Sequence, residues 1–393
     1  MAALSFMLRS LCCPSMGASE FFGDGRLDRI EEGLYLGTLD AACDIETVSG
    51  LNVTHILTVA SQPLPQHTVQ AFTGRSSLFY IKVYDDVCSD LLSHFQDAVD
   101  FIKQGQNIGT VLVHCLCGVS RSSTLVTCYL MNKYNITRDK ALKRVQKRRS
   151  CAVPNRGFMD QLLLYQTMGC QLNTSHLQYK LYLLHTVGSV LTKDYERKVD
   201  AKYRVIFQPD PTSLTSLPSP AYRCQNCRSP LISEDALIPH YPNETPDWRD
   251  GKWSERLQKD SNSSSSSSGM VSGRLKKDSN SSSNRKWSGR LEKGSNSSSS
   301  SGMVSGRLKK GSNSHSSSGM VCDKGVFTFP IAWMEKTLGE ELLPGPTSLR
   351  GRLTCPICQH CIGHYDWLQG YKCECKAKIT PGFYFIPSRL EKY

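Results

Sequence analysis

The chain has 393 residues, 39% of them hydrophobic, with 47 Lys and Arg against 35 Asp and Glu for a formal net charge of +12. That length exceeds one ordinary domain and predicts a second unit, while the lack of any run of 18 or more apolar residues predicts no membrane-spanning helix. Several of the 17 cysteines stand in Cys-x2-Cys pairs rather than in a secreted disulfide framework, so a reducing compartment, nucleus and cytoplasm, is expected.

Residues 1–26 read as a disordered tail. Its opening, Met1 to Cys13, has too short an apolar core and no basic start to make a signal peptide, although Cys12 and Cys13 would be open to lipid attachment. The first stretch with chemical content is Ile81-Lys-Val-Tyr-Asp-Asp-Val-Cys-Ser-Asp-Leu-Leu-Ser-His-Phe95, a loop between a strand and an amphipathic helix. Asp90 is placed to N-cap a helix beginning at Leu91. Asp85 and Asp86 read either as solvated loop carboxylates or as proton donors to a nearby site.

Val111-Leu-Val-His-Cys-Leu-Cys-Gly-Val-Ser-Arg-Ser-Ser123 carries the strongest signal. Its apolar run 111–113 predicts a buried strand and residues 122–134 predict a helix, with a seven-residue loop from Cys115 to Arg121 between them. Strand, tight loop and helix start aim backbone N–H groups at an anion. Gly118 lets the loop turn tightly, so that the amides of Leu116, Cys117, Gly118, Val119, Ser120 and Arg121 converge on phosphate oxygens. Arg121 adds a planar fork for two of those oxygens. Cys115, beside a helix N-terminus and an arginine, is expected as a thiolate nucleophile. Ser120 and Ser122 offer hydroxyl donors to that sulfur, and His114 is expected to brace the loop rather than act as a base. A lone cysteine ending a core strand would read as an ordinary buried residue. Here the His before it, the Arg six residues after it and the Gly and Ser around them favour a nucleophile in a phosphate cradle.

The C-terminal half is cysteine-rich and interrupted. Units beginning at Trp253, Val271, Trp287 and Val304 repeat a Ser-x-Arg-Leu-x-Lys pattern between serine runs. Residues 252–313 hold 13 Lys and Arg against 4 Asp and Glu, an excess of +9. One apolar pair per unit cannot build a core, so residues 252–320 read as a basic low-complexity insert, either a plain linker or a loose contact for RNA, acidic lipid or phosphoprotein. Cys224, Cys227 and His240 precede it, and Cys322, Cys355, Cys358, Cys373 and Cys375 follow. Eight such ligands make two tetrahedral sets and predict two structural, non-catalytic zinc ions. A ribbon of Cys355, Cys358, Cys373 and Cys375 would leave Cys224, Cys227, His240 and Cys322 as the other set; an interleaved pairing is equally tetrahedral. His360, Cys361 and His364 stand close enough to substitute.

The loop matches His-Cys-x5-Arg and resembles the dual-specificity branch of the cysteine-dependent protein phosphatases. Gly33-Leu-Tyr-Leu-Gly37 is similar to the first strand of that fold, Thr54 to Ala60 to its next buried strand, and Cys151 to Phe158 to the turn opening its last helix. The resemblance implies an α/β fold, a central sheet flanked by helices, over residues 27–172. It also implies a general acid six residues before the leucine that enters the helix, which from Leu91 selects Asp85, with Asp86 as runner-up. Cys115 would then attack phosphorus, Asp85 protonate the leaving oxygen, and Ser122, Arg121 and the loop amides assist. The substrates would be phosphotyrosine and phosphoserine or phosphothreonine in proteins. Tyr222 to Leu231, Phe329 to Met334, Leu353 to Cys358 and Ile379 to Phe383 are similar to the small β-rich zinc domain of atypical members related to a fungal phosphatase of ribosome assembly. That likeness implies pre-ribosomal particles or RNA as further partners, and an assembly role with catalysis dispensable as the alternative function. The expected organisation is a tail at 1–26, a catalytic domain at 27–172, a connecting segment at 173–220 and a zinc domain at 221–393. The basic insert departs from the family pattern.

Overall fold

The computed structural model describes residues 27–193, 201–212, 220–253, 255–257, 259, 320–335 and 349–393; the tail and most of the basic repeat lie outside the described residues. One compact unit draws on the chain up to Ser254 and from Val321 onward, and a second comprises 255–320.

In the N-terminal part, β1 (Leu27–Glu31), β2 (Leu34–Gly37), β3 (Val53–Ala60), β4 (Ser77–Lys82) and β5 (Thr110–His114) form one sheet in the order β1-β2-β5-β3-β4. Only β1 and β2 pair antiparallel; β2, β5, β3 and β4 run parallel. Val111, Leu112 and Val113 are wholly buried, as an unbroken apolar run must be in a strand covered on both faces. The segment 33–37, read as the first strand, is the second. An edge strand of sequence LDRIE precedes it, and its partial burial explains why no alternation marked it.

The helices are α1 (Leu39–Cys43), α2 (Ile45–Gly50), α3 (Gln66–Phe72), α4 (Phe95–Ile108), α5 (Arg121–Tyr134), α6 (Arg138–Gln146), α7 (Arg156–Thr167) and α8 (Leu177–Lys193). All residues of α5 from Arg121 to Met131 are buried. Its polar N-terminal turn survives there because the Ser123 and Thr124 hydroxyls donate back to the Ser120 carbonyl at 2.9 and 2.7 Å. Asn155 caps α7, accepting from the Phe158 amide at 2.9 Å.

The expected connecting segment contains α8, a 17-residue helix with ten buried residues around most of its circumference. A helix apolar all round must be covered on more than one side. Tyr182 and Lys193 reach Asp90 and Asp86 of the N-terminal part. The Tyr182 ring also meets Trp248 edge-on at 4.9 Å, and Gly188 sits against Pro381.

Beyond it, β6 (Pro220–Cys224), β7 (Pro230–Ser233), β8 (Val326–Phe327), β9 (Arg350–Thr354), β10 (Cys361–Asp366), β11 (Tyr371–Lys372), β12 (Lys378–Ile379), β13 (Gly382–Phe385) and β14 (Leu390–Lys392) form three small sheets, β8-β13-β10-β9, β11-β12 and β14-β6-β7. Phe327, Trp367, Phe383 and Phe385 make a compact aromatic core. The stretches either side of the insert are tied together: Cys322 N–H donates to the His240 carbonyl and Ile238 N–H to that of Phe327, both at 2.8 Å. Trp253, inside the segment read as insert, is 1% exposed. Its indole is large enough to be taken into the folded unit although its neighbours in sequence are polar.

Candidate active site and metal clusters

The loop after β5 is a cradle because its carbonyls are held from outside. Leu39 N–H donates to the Leu116 carbonyl at 3.1 Å, Val153 N–H to Val119 at 2.9 Å, and Thr124 N–H to Ser120 at 3.0 Å. Arg149 supplies the two between, Nη2 to the Cys117 carbonyl at 3.1 Å and Nε to that of Gly118 at 2.8 Å. Five successive carbonyls turned toward the scaffold leave the amides of a tight loop facing inward, the arrangement that binds an anion. Gly118 has φ +66, and a Cβ there would lie 2.6 Å from the Gly37 carbonyl oxygen, so only glycine fits.

Cys115 is 1% exposed at the floor of this loop. Its sulfur accepts from the Gly118 amide at 3.2 Å and the Ser122 hydroxyl at 3.1 Å. His114 is buried and shares a 2.8 Å hydrogen bond with the Thr58 hydroxyl, while its Nδ1 lies 3.3 Å from the Cys115 carbonyl. Burial pushes its imidazole down to about 4, against a weaker opposing effect of that carbonyl. The neutral ring then donates through Nδ1 and accepts through Nε2, tying β5 to β3.

Arg121 is buried at the opposite end of the cradle. Its Nη1 donates to the Val83 carbonyl at 3.2 Å, and its Nε lies 3.5 Å from Asp85 Oδ2 with no hydrogen-bond partner. A buried guanidinium nitrogen left in this state is suited to an oxyanion. Asp85 Oδ1 accepts from Ser120 Oγ at 2.7 Å and Asn155 Nδ2 at 2.8 Å. Ser120 therefore serves Asp85, whereas Ser122 alone of the two expected serines reaches the sulfur. Asp86 is engaged elsewhere: it accepts from the Cys88 amide at 2.8 Å and Lys193 at 3.0 Å, and these hold its carboxyl below the usual range. Asp90 does accept from the Ser93 amide, at 3.1 Å, ahead of the turn 92–94.

Arg149, Asn155 and Gln161 carried no sequence signal as site residues. Asn155 read as a turn residue, and Arg149 stood in the run Lys147-Arg148-Arg149 with nothing to separate it from its neighbours. Arg149 is buried and paired with Asp28 at 2.6 Å. Gln161 Oε1 accepts from the Leu91 and Leu92 amides at 3.0 and 2.8 Å, and its Nε2 donates to the Ser89 carbonyl at 2.8 Å.

The eight expected metal ligands come together as Cys224, Cys227, Cys355 and Cys358, and as His240, Cys322, Cys373 and Cys375, with ligand atoms in each set within 4.8 Å of one another. This is the interleaved pairing, and the grouping of Cys355, Cys358, Cys373 and Cys375 as one ribbon is corrected. The reason lies in the C-terminal strand and turn: β14 pairs with β6, Leu390 opposite Cys224, the Gln225 amide donates to the Arg389 carbonyl at 3.1 Å, and the Arg389 guanidinium donates to the Cys361 carbonyl just beyond the second knuckle, which seats the first knuckle beside the second. Sulfur separations are 3.7 Å for Cys224 and Cys358, 3.6 Å for Cys227 and Cys355, and 3.8 Å for Cys322 and Cys373. Tetrahedral zinc with Zn–S of about 2.3 Å puts its sulfurs about 3.8 Å apart. Buried His240 Nε2 has no hydrogen-bond partner, as befits a ligand atom.

Each of the three cysteine pairs is followed by a residue in the left-handed region. Arg228, Gln359 and Lys376, each directly after a pair, have φ of 61, 59 and 74. Their amides donate to the carbonyls of Cys224, Cys355 and Cys373 at 2.8, 3.0 and 2.9 Å. His360, Cys361 and His364 join neither set among the described residues. The clusters fit a metal such as zinc.

A mostly parallel sheet ending in an anion cradle, with a cysteine at its floor and an arginine and a carboxylate above, defines a phosphatase. Residues 34–168 match the family described as dual specificity phosphatase, catalytic domain. The chain is 32% identical to the dual specificity protein phosphatase MPK-4 of Drosophila melanogaster, over 94% of this chain and 88% of that one. It is 29% identical to dual specificity protein phosphatase 12 of Rattus norvegicus over 94% and 89%, and 25% identical to the tyrosine-protein phosphatase YVH1 of Saccharomyces cerevisiae over 94% and 92%. The chain belongs to the dual specificity protein phosphatases and acts on phosphoproteins. Among the described residues no helix is long and apolar enough to cross a membrane.

Proposed function

We propose that the chain hydrolyses phosphotyrosine and phosphoserine or phosphothreonine through a phosphorylated Cys115. The Cys115 thiolate attacks phosphorus in line, the S–P bond forms as the ester P–O bond breaks, and Asp85 gives its proton to the departing oxygen. Water then attacks phosphorus and passes a proton to Asp85. The S–P bond breaks, Ser122 donates to the returning thiolate, and Arg121 with the amides of 116–121 holds the equatorial oxygens throughout. The observation that carries this reading is the cradle itself, with Cys115 accepting two hydrogen bonds at its floor and Asp85 held 3.5 Å from Arg121. Asp86, pinned by Lys193, is the poorer donor.

We take residues 27–172 as the catalytic domain and 221–393 as a metal domain holding two zinc ions. Four protein ligands in each set leave no open coordination position, which supports a structural role. Nucleus and cytoplasm is the proposed location. A second reading, an assembly role on RNA or pre-ribosomal particles, draws on the +9 excess of residues 252–313.

Turnover of paired phosphotyrosine and phosphothreonine peptides tests the first reading. Cys115→Ser should lower turnover by on the order of a thousandfold or more while phosphate binding survives. Asp85→Ala should slow poor leaving groups far more than an activated aryl phosphate, and a larger loss in Asp86→Ala would transfer the acid role. Wild-type-like turnover in Cys115→Ser would end this mechanism.

A further inference from the structure

Asp90 is a buried carboxylate five residues after Asp85 that the chemistry above does not use. Its side chain is 5% exposed. It accepts from Ser93 N–H at 3.1 Å and the Ser93 hydroxyl, from Tyr182 Oη at 2.6 Å and from Tyr203 Oη at 2.7 Å. Lys202 Nζ lies 3.3 Å away. Burial opposes ionisation, but Lys202 and the hydroxyl donors outweigh it and hold the carboxyl below the usual range. Asp90 is therefore a charged, fully partnered knot at the end of the loop that carries Asp85.

Three of these partners, Tyr182, Lys202 and Tyr203, come from outside the family's catalytic segment, which ends at residue 168. Tyr182 lies on α8, and Lys202 and Tyr203 lie on the turn 201–206. The same helix meets the loop a second time at an exposed ion pair, Lys193 Nζ with Asp86 at 3.0 Å. From the other side α7 supplies Gln161 to the Leu91 and Leu92 amides. Its Gly157 lies so close to Val87 that a Cβ would come 1.9 Å from the Val87 carbonyl oxygen. Segment 86–92 is thus clamped between α7 and α8, and Asp85 is the residue that the clamp delivers to Ser120, Asn155 and Arg121. Tyr182 is in turn seated by Trp248, five residues beyond Asn243, whose amide donates to the carbonyl of the metal-set residue Cys375 at 2.8 Å.

We propose that Tyr182 and Tyr203 are positioning residues which, through Asp90, hold the proton-donor loop over the cradle, so that the helix after the catalytic body is part of the catalytic apparatus. The proposal rests on Asp85 as the general acid. Proton donation needs the acid within hydrogen-bond reach of the leaving oxygen, and displacements of about 1 Å are costly in rate. A loosened knot would tax proton donation while leaving phosphate binding in the cradle intact.

The test uses the full chain with Tyr182→Phe, Tyr203→Phe and both together, each change removing a hydroxyl and keeping a ring. The quantity read is kcat/KM, which reports the steps up to phosphorylation of Cys115, on phenyl phosphate and on 2,4-dinitrophenyl phosphate, whose leaving group needs no proton. The double variant should lose about tenfold on phenyl phosphate and less than about twofold on the dinitrophenyl ester. In an Asp85→Ala background the tyrosine changes should add no further loss, because they act through that acid. Equal losses on both esters, no loss on either, or full additivity with Asp85→Ala would overturn the proposal. If the double variant melts early, Tyr203→Phe alone, with its dinitrophenyl activity as the internal control of folding, decides by the same ratio. If Asp85→Ala itself slows both esters alike, the acid assignment fails, and that result is independent of the tyrosine variants.

Discussion

Cys115 and Arg121 stand six residues apart, whereas Cys224 and the Cys358 sulfur 3.7 Å from it stand 134 residues apart. Both places converge donor atoms on one point. The cradle does so with consecutive amides whose carbonyls are held from outside, so its shape follows from one short segment and the scaffold behind it. Each metal cluster joins two or three distant segments, and none of the five segments supplies more than two of the four ligand atoms in its set. The difference teaches that a binding site can be local in its donors and still non-local in its rigidity. Arg149 reaches the cradle from 31 residues beyond Gly118.

The sharpest way to break this comparison is to remove metal ligands in pairs. Cys224→Ser with Cys355→Ser should cost one zinc ion per chain, since both lie in one set. Cys355→Ser with Cys373→Ser should cost both ions, and much of the stability of the module with them, since binding a structural zinc contributes roughly 10 kcal/mol or more in small peptides. Metal analysis giving the reverse pattern would restore the ribbon grouping.

Gly157→Ala strikes the side of the catalytic site that is not local. A methyl 1.9 Å from the Val87 carbonyl oxygen forces the backbone of the acid loop to move. The expected cost is about 1–3 kcal/mol of stability and about tenfold in kcat/KM on poor leaving groups. An unchanged rate on phenyl phosphate would show that the loop tolerates displacement.

His114 sharpens the comparison through pH. Burial holds its imidazole at about 4 rather than 6.5, so the folded state favours the neutral ring. Its contribution to stability is complete above pH 6.5 and is lost as pH falls toward 4, with a span of about 3 kcal/mol as an order of magnitude. Chemical denaturation across that window should show a shallower acid slope in His114→Gln than in the unaltered chain.

The smallest effect is expected from deleting residues 260–319. His240 and Cys322 are already joined by a backbone hydrogen bond, and loop length costs only about 0.6 kcal/mol per doubling. Turnover and zinc content should stay within about twofold, while any salt-sensitive binding to polyanions weakens. Loss of one zinc ion on deletion would mean that the insert helps to assemble the second cluster.

The sequence by itself determined the strand, loop and helix around Cys115, because an unbroken apolar run, a glycine at a forced turn and a helix start act over neighbouring residues. It also picked out the eight residues that the structure gathers into two clusters able to hold a metal, because Cys and His in short spacings have a chemistry that burial alone does not explain. It did not separate Asp85 from Asp86 on physical grounds, since adjacent loop carboxylates differ only in what they face. Only the tertiary structure decided that Asp85 faces Arg121 while Asp86 faces Lys193, that the knuckles pair interleaved, and that the segment after the catalytic body is a buried helix bound to Asp90. Each of these rests on contacts between residues tens to more than a hundred positions apart, and such contacts leave no periodicity, cap or turn signal in the residues that make them.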